Sequence, residues 1–133
     1  MRKKQNVLIV FLIGTAIFCQ GCVVAAVGLG AAGTVAYISG DLESTETKNI
    51  EVVYSAALQA VEQLELRIVS KSKDALSATI IAYDAEEKKI QIKMSAPSEH
   101  STKLSIRVGT FGNETKSNRI YQRMYNNMNP VER

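Results

Sequence analysis

Chemistry in this 133-residue chain has to come from very few places. It holds one histidine, two cysteines and no tryptophan. His100 sits in a polar stretch beside Ser98 and Glu99. A nucleophile, base and acid brought together by the fold need a shaped oxyanion site as well. No G-x-S-x-G run or comparable elbow accompanies His100, so it reads as a solvated loop residue. One histidine among scattered carboxylates makes an equally poor metal site. Gly28-Leu29-Gly30-Ala31-Ala32-Gly33 matches G-x-G-x-x-G in letters. That fingerprint works only between a strand and a helix of a βαβ unit, with an acid about 20 residues on. The residues after Gly33 read as a strand, so nucleotide binding does not follow. Arg107 to Gly112 is the remaining stretch of interest. Gly109 and Gly112 allow backbone conformations closed to other residues, Phe111 lies between them, and a guanidinium at Arg107 can grip a carboxylate or phosphate. The plainer reading is a strand-to-helix turn shaped by its glycines, with Arg107 paired to an acid on a solvated sheet face.

Cys22 carries different chemistry. Met1-Arg2-Lys3-Lys4 starts the chain with positive charge, and Val7–Phe18 is an apolar stretch relieved only by Gly14, Thr15 and Ala16. A charged start and a short apolar run are the marks of a secretory leader. The run falls short of the roughly 20 residues a membrane-spanning helix needs. Phe18-Cys19-Gln20-Gly21-Cys22 follows, with small Gly21 just before Cys22. This arrangement resembles the lipobox of a bacterial lipoprotein signal, with Cys19 standing where Leu is usual. The resemblance implies that residues 1–21 are removed and that Cys22 carries a covalent lipid. One acyl chain binds a membrane marginally, at about 0.8 kcal/mol per buried CH₂; two or three chains on one cysteine hold it permanently. Val23, rather than Asp, after the cysteine matches the common rule for sorting to the outer membrane. The alternative is an uncleaved membrane segment, since Val7 to Ile38 contains no charged residue. Six interruptions by glycine or glutamine make that a poor helix.

Composition limits the partners. The formal charge of +3 comes from Arg2, Lys3 and Lys4, which leaves 13 basic against 13 acidic residues from Cys22 onward. A formally neutral mature chain carries no strong field toward nucleic acid. With Cys19 removed and Cys22 lipidated, no disulfide and no free thiol remain. About 112 residues suit one small domain. We read residues 22–33 as a Gly/Ala-rich tether, 34–128 as a single α+β domain and 129–133 as a tail. The small residues of Val23–Ile38 also suit a packing surface.

The elements that must position these residues follow from periodicity. A strand is expected at about Thr34–Leu42. Ile50, Val53, Tyr54, Ala57, Leu58, Val61 and Leu64 fall at helical spacing, with Asn49 or Thr47 as cap. Strands follow at Leu66–Ser70, Ala75–Tyr83, Lys88–Met94 and Lys103–Val108. The last two alternate cleanly, with Ile90, Ile92, Met94, Leu104, Ile106 and Val108 on one side and lysines, serine and arginine on the other. Such alternation predicts an antiparallel meander with one wet face. Asn113 caps a final helix whose stripe is Ile120, Tyr121, Met124, Tyr125 and Met128. The expected fold is α+β: an antiparallel sheet of four to five strands, two helices on one face, in the order β-α-β-β-β-β-α, after a signal peptide.

Several segments resemble the small envelope lipoproteins grouped as domain-of-unknown-function family number 3568. They are Ala36-Tyr37-Ile38-Ser39-Gly40-Asp41-Leu42-Glu43, the helix Val53–Leu64, Lys73-Asp74-Ala75, and Ser105-Ile106-Arg107-Val108-Gly109-Thr110-Phe111-Gly112-Asn113-Glu114, with Ser117 and Ile120 beyond. The resemblance implies a fold and an envelope location but no catalytic residue. The expectation is therefore a non-catalytic lipoprotein, moored through lipid on Cys22, without another cofactor or a metal. Its domain would offer a polar sheet face or an edge strand to a protein of the envelope. The alternative is a periplasmic domain that binds a small ligand or lipid between sheet and helices; an enzyme is the least favoured reading.

Overall fold

A computed structural model describes residues 35–131. Cys22, the leader and the Gly28–Gly33 run lie outside them. Six strands and two helices follow one another: β1 (Val35–Ile38), β2 (Asp41–Glu46), α1 (Ile50–Gln63), β3 (Arg67–Lys73), β4 (Ser77–Tyr83), β5 (Lys89–Ser98), β6 (Ser101–Val108) and α2 (Glu114–Met128). The strands form one antiparallel sheet in the order β1-β2-β6-β5-β4-β3. The order along the chain is β-β-α-β-β-β-β-α, so the expected four to five strands become six.

The extra strand has a local cause. The single strand expected through Leu42 is broken at Ser39 and Gly40, whose φ angles are 51° and 90°. A two-residue turn with both residues at positive φ matches the twist of a hairpin, and Ile38 pairs with Asp41 across it. The chain after Leu42, read as a polar approach to the helix, continues as strand because Ser44 and Glu46 point inward with Leu42. β3 also outruns its expected end at Ser70. It reaches Lys73 as the outermost strand, exposed along its whole length, with a bulge between Ile68 and Ser70.

Both helices lie on the same face. Ile80, Ile90, Ile92, Leu104, Ile106 and Val108 of the sheet meet Val53, Ala57, Val61, Ile120 and Met124 of the helices in one core. Asn49 caps α1 by accepting from the Val52 N–H at 3.0 Å, and Asn113 caps α2 by accepting from Lys116 at 2.9 Å. α1 ends where Glu65 takes a positive φ of 55° and the Leu66 N–H reaches back to the Val61 carbonyl. That is a left-handed cap in which Glu occupies the position glycine usually fills. The amides of Gln63 and Asn127 bond to one another and tie the helices together. Among the described residues no helix is long and apolar enough to cross a membrane.

Candidate functional site

Three features stand out from the packing. The first is a clamp at one end of the sheet. Arg107 leaves β6 on the helix-free face, and its Nε donates to Asp41 on the paired strand β2 at 2.5 Å. Nη1 donates to the Thr110 carbonyl at 3.2 Å and Nη2 to the Ser39 carbonyl at 3.0 Å. One guanidinium therefore ties the β1–β2 turn to the loop before α2. Asp41 raises the Arg107 pKa further above its ordinary value, chiefly through the hydrogen bond. Backbone closes the same joint. A Cβ on Gly40 would stand 2.5 Å from the Phe111 carbonyl oxygen, and one on Gly112 would strike Gly40 and the Tyr37 hydroxyl. Gly40 and Gly112 both have positive φ, which adds a second reason for glycine. Phe111 stands at the tip, 91% exposed. Of the residues singled out in the sequence, Arg107 and Gly112 meet in this joint, whereas a Cβ on Gly109 would meet nothing within 4 Å. Arg107 spends its donors on Asp41 and two carbonyls, as in the plainer of the two readings.

The second feature is the helix-free face itself. It forms an open groove of about 740 Å³ that crosses β1, β2, β6, β5 and β4. Lys93 and Lys103 rise from its floor on adjacent strands. Lys93 lies opposite Ser105, and Lys103 opposite Ser95. Neither lysine has an ion pair among the described residues. Ala36 and Ile38 of β1 form an apolar wall, with Ile38 52% exposed.

The third feature was not anticipated from the sequence. Glu46 is buried at 2% exposure, and its Oε1 accepts from the Tyr121 hydroxyl at 3.0 Å and from the Ser44 hydroxyl. Burial, first of all, pushes the Tyr121 phenol up to about 12. The hydroxyl of Ser117 is fully buried on α2 without a hydrogen-bond partner among the described residues. The signal was present in the alternation Leu42, Ser44, Glu46, which places two polar groups on the inward side. Ser44 and Glu46 are both buried, at 4% and 2% exposure.

Elsewhere, His100 lies exposed in the tight turn between β5 and β6. Lys116 of α2 donates to Asp84 at 2.7 Å and sits 3.1 Å from Glu86. That hydrogen bond first, then the N–H groups of Lys88 and Glu86, hold the Asp84 carboxyl below its ordinary value; Lys116 is raised in turn. A smaller open groove of about 280 Å³ runs beside this pair, between the end of α1 and the start of α2.

Residues 6–127 match the model of a protein family described as of unknown function, DUF3568. The chain belongs to that family. The match spans the α+β domain and much of the chain before it, and the DUF3568 resemblance read from the Ala36–Glu43 and Ser105–Glu114 motifs holds. No curated protein gave a match. In this DUF3568 chain two of the segments that carry the resemblance are the two halves of the Arg107 clamp: Ser39, Gly40 and Asp41 from one, Arg107, Thr110 and Gly112 from the other.

Proposed function

We propose that the chain is a non-catalytic lipoprotein of a bacterial envelope, held through lipid on Cys22 at the outer membrane and facing the periplasm. Its helix-free sheet face is the surface that meets an envelope protein. One observation carries this reading: both helices cover a single face, while the other remains a concave groove whose central cations lack partners among the described residues. The leader before Cys22 supports the location, because its basic start, short apolar run and terminal Gly21-Cys22 suit lipid attachment. The burial of Glu46 supports the non-catalytic reading, because the closest hydroxyl–carboxylate pair among the described residues has its carboxyl group buried.

The test uses a photo-crosslinking residue introduced in intact cells at Ser105 on the groove floor or at Gln59 on the solvent side of α1. A discrete protein adduct from position 105 and none from position 59 is expected. Adducts from the helix side alone would contradict the assignment.

A further inference from the structure

We infer that the groove on the helix-free face takes an acidic, amphipathic helix of a protein partner. The inference rests on the reading of that face as a partner surface and adds what the partner must look like. Width comes first. Five strands line the groove, and at about 4.8 Å per strand interval they span roughly 19 Å. An α-helix with its side chains is about 10–12 Å across and seats in that space. A single extended strand leaves most of the floor bare, and a planar bilayer does not follow a concave surface.

Charge comes second. Lys93 and Lys103 stand diagonally on adjacent strands, ringed by the hydroxyls of Ser95, Ser105 and Thr45. Their ammonium groups have no carboxylate partner among the described residues. An occupant with carboxylates on its inner stripe completes those pairs. Glu43 stands on the β2 side of the groove and repels such an occupant there, which turns its acidic stripe toward β5 and β6. The apolar wall comes third. Ala36 and Ile38 ask for an apolar edge on the same occupant, beside its acidic stripe. The chain's own residues 23–34 carry no charge and cannot neutralise the lysines.

The experiment uses the lipidated full chain in phosphatidylcholine nanodiscs, with its lysines carrying ¹³C-methyl groups. The probe is a helical peptide of about 18 residues with a glutamate stripe beside a leucine stripe. A peptide with lysine in place of glutamate and random-coil poly-L-glutamate serve as controls. The inference predicts that the Lys93 and Lys103 methyl signals shift on titration while Lys71, on β3, stays still. The double variant K93E/K103E then loses at least about tenfold in affinity, and about 0.3 M salt weakens binding of the unmodified chain. Equal shifts with poly-L-glutamate reveal general polyanion affinity and overturn the inference. Absence of shifts at Lys93 and Lys103 overturns it too. Self-association that K93E/K103E abolishes assigns the groove to a second copy and likewise overturns it. In cells, Ser105 adducts that persist in K93E/K103E retire the acidic helix and leave the partner surface standing; loss of all Ser105 adducts in the unmodified chain retires both.

Discussion

Replacing Tyr121 by Phe tests the buried carboxylate most cleanly. The substitution keeps the ring, which is 4% exposed, and removes only the hydroxyl that lies 3.0 Å from Glu46 Oε1. A buried acceptor that loses its donor bears the full desolvation cost, about 1–3 kcal/mol. Glu46 keeps Ser44 as one donor, so the expected loss is about 2 kcal/mol. For a domain of this size that lowers Tm by roughly 8–16 °C. Guanidinium unfolding with an unchanged m-value is the assay. Combining Y121F with E46Q should cost less than the sum of the singles, with a coupling of about 1 kcal/mol, because both remove one interaction. The pH profile carries the sign. Raised to about 12 in the fold, the Tyr121 phenol stays neutral while the unfolded one ionises near 10. Its contribution is full below pH 10 and is lost as pH rises through about 12. Y121F should flatten that alkaline limb. A loss under about 0.5 kcal/mol, or strict additivity with E46Q, would refute the reasoning.

Ser117→Ala removes a buried hydroxyl without a partner among the described residues and should stabilise the domain by about 1 kcal/mol in the same unfolding assay. Gly112→Ala and Gly109→Ala make a matched pair: both residues have positive φ, but only the Gly112 site is filled. G109A should cost about 1–2 kcal/mol and G112A clearly more, read as the shift in denaturant midpoint. Asp84→Asn should lower stability at neutral pH, and that loss should fade as pH falls below the ordinary carboxylate range. The depressed carboxyl contributes above its unfolded pKa and is lost as pH falls through the folded one.

Periodicity in the sequence carried much of this architecture. Ile90, Ile92, Met94, Leu104, Ile106 and Val108 announced the inner side of β5 and β6, and the helix stripes at Val53–Val61 and Ile120–Met128 face the core, with Tyr54, Leu58 and Tyr125 half-buried at their margins. Asn49 and Asn113 act as the caps their positions suggested. The β1–β2 hairpin was hidden because its turn is only two residues long, and a positive φ at a serine is uncommon. Ser44 and Glu46 were hidden because polar letters read as loop, although their inward register depends on Tyr121, 75 residues beyond Glu46. The groove was legible only as a wet face. Its concavity and its apolar wall arise from β1, a strand that local patterning merged with β2.

The claim on which the account turns is that this domain works while moored by lipid on Cys22. Mass spectrometry of the N-terminal peptide, taken from protein purified out of the cell envelope, tests it directly. The account predicts a peptide that begins at Cys22 and carries two or three acyl chains. A peptide that begins at Met1 with an unmodified cysteine would contradict it.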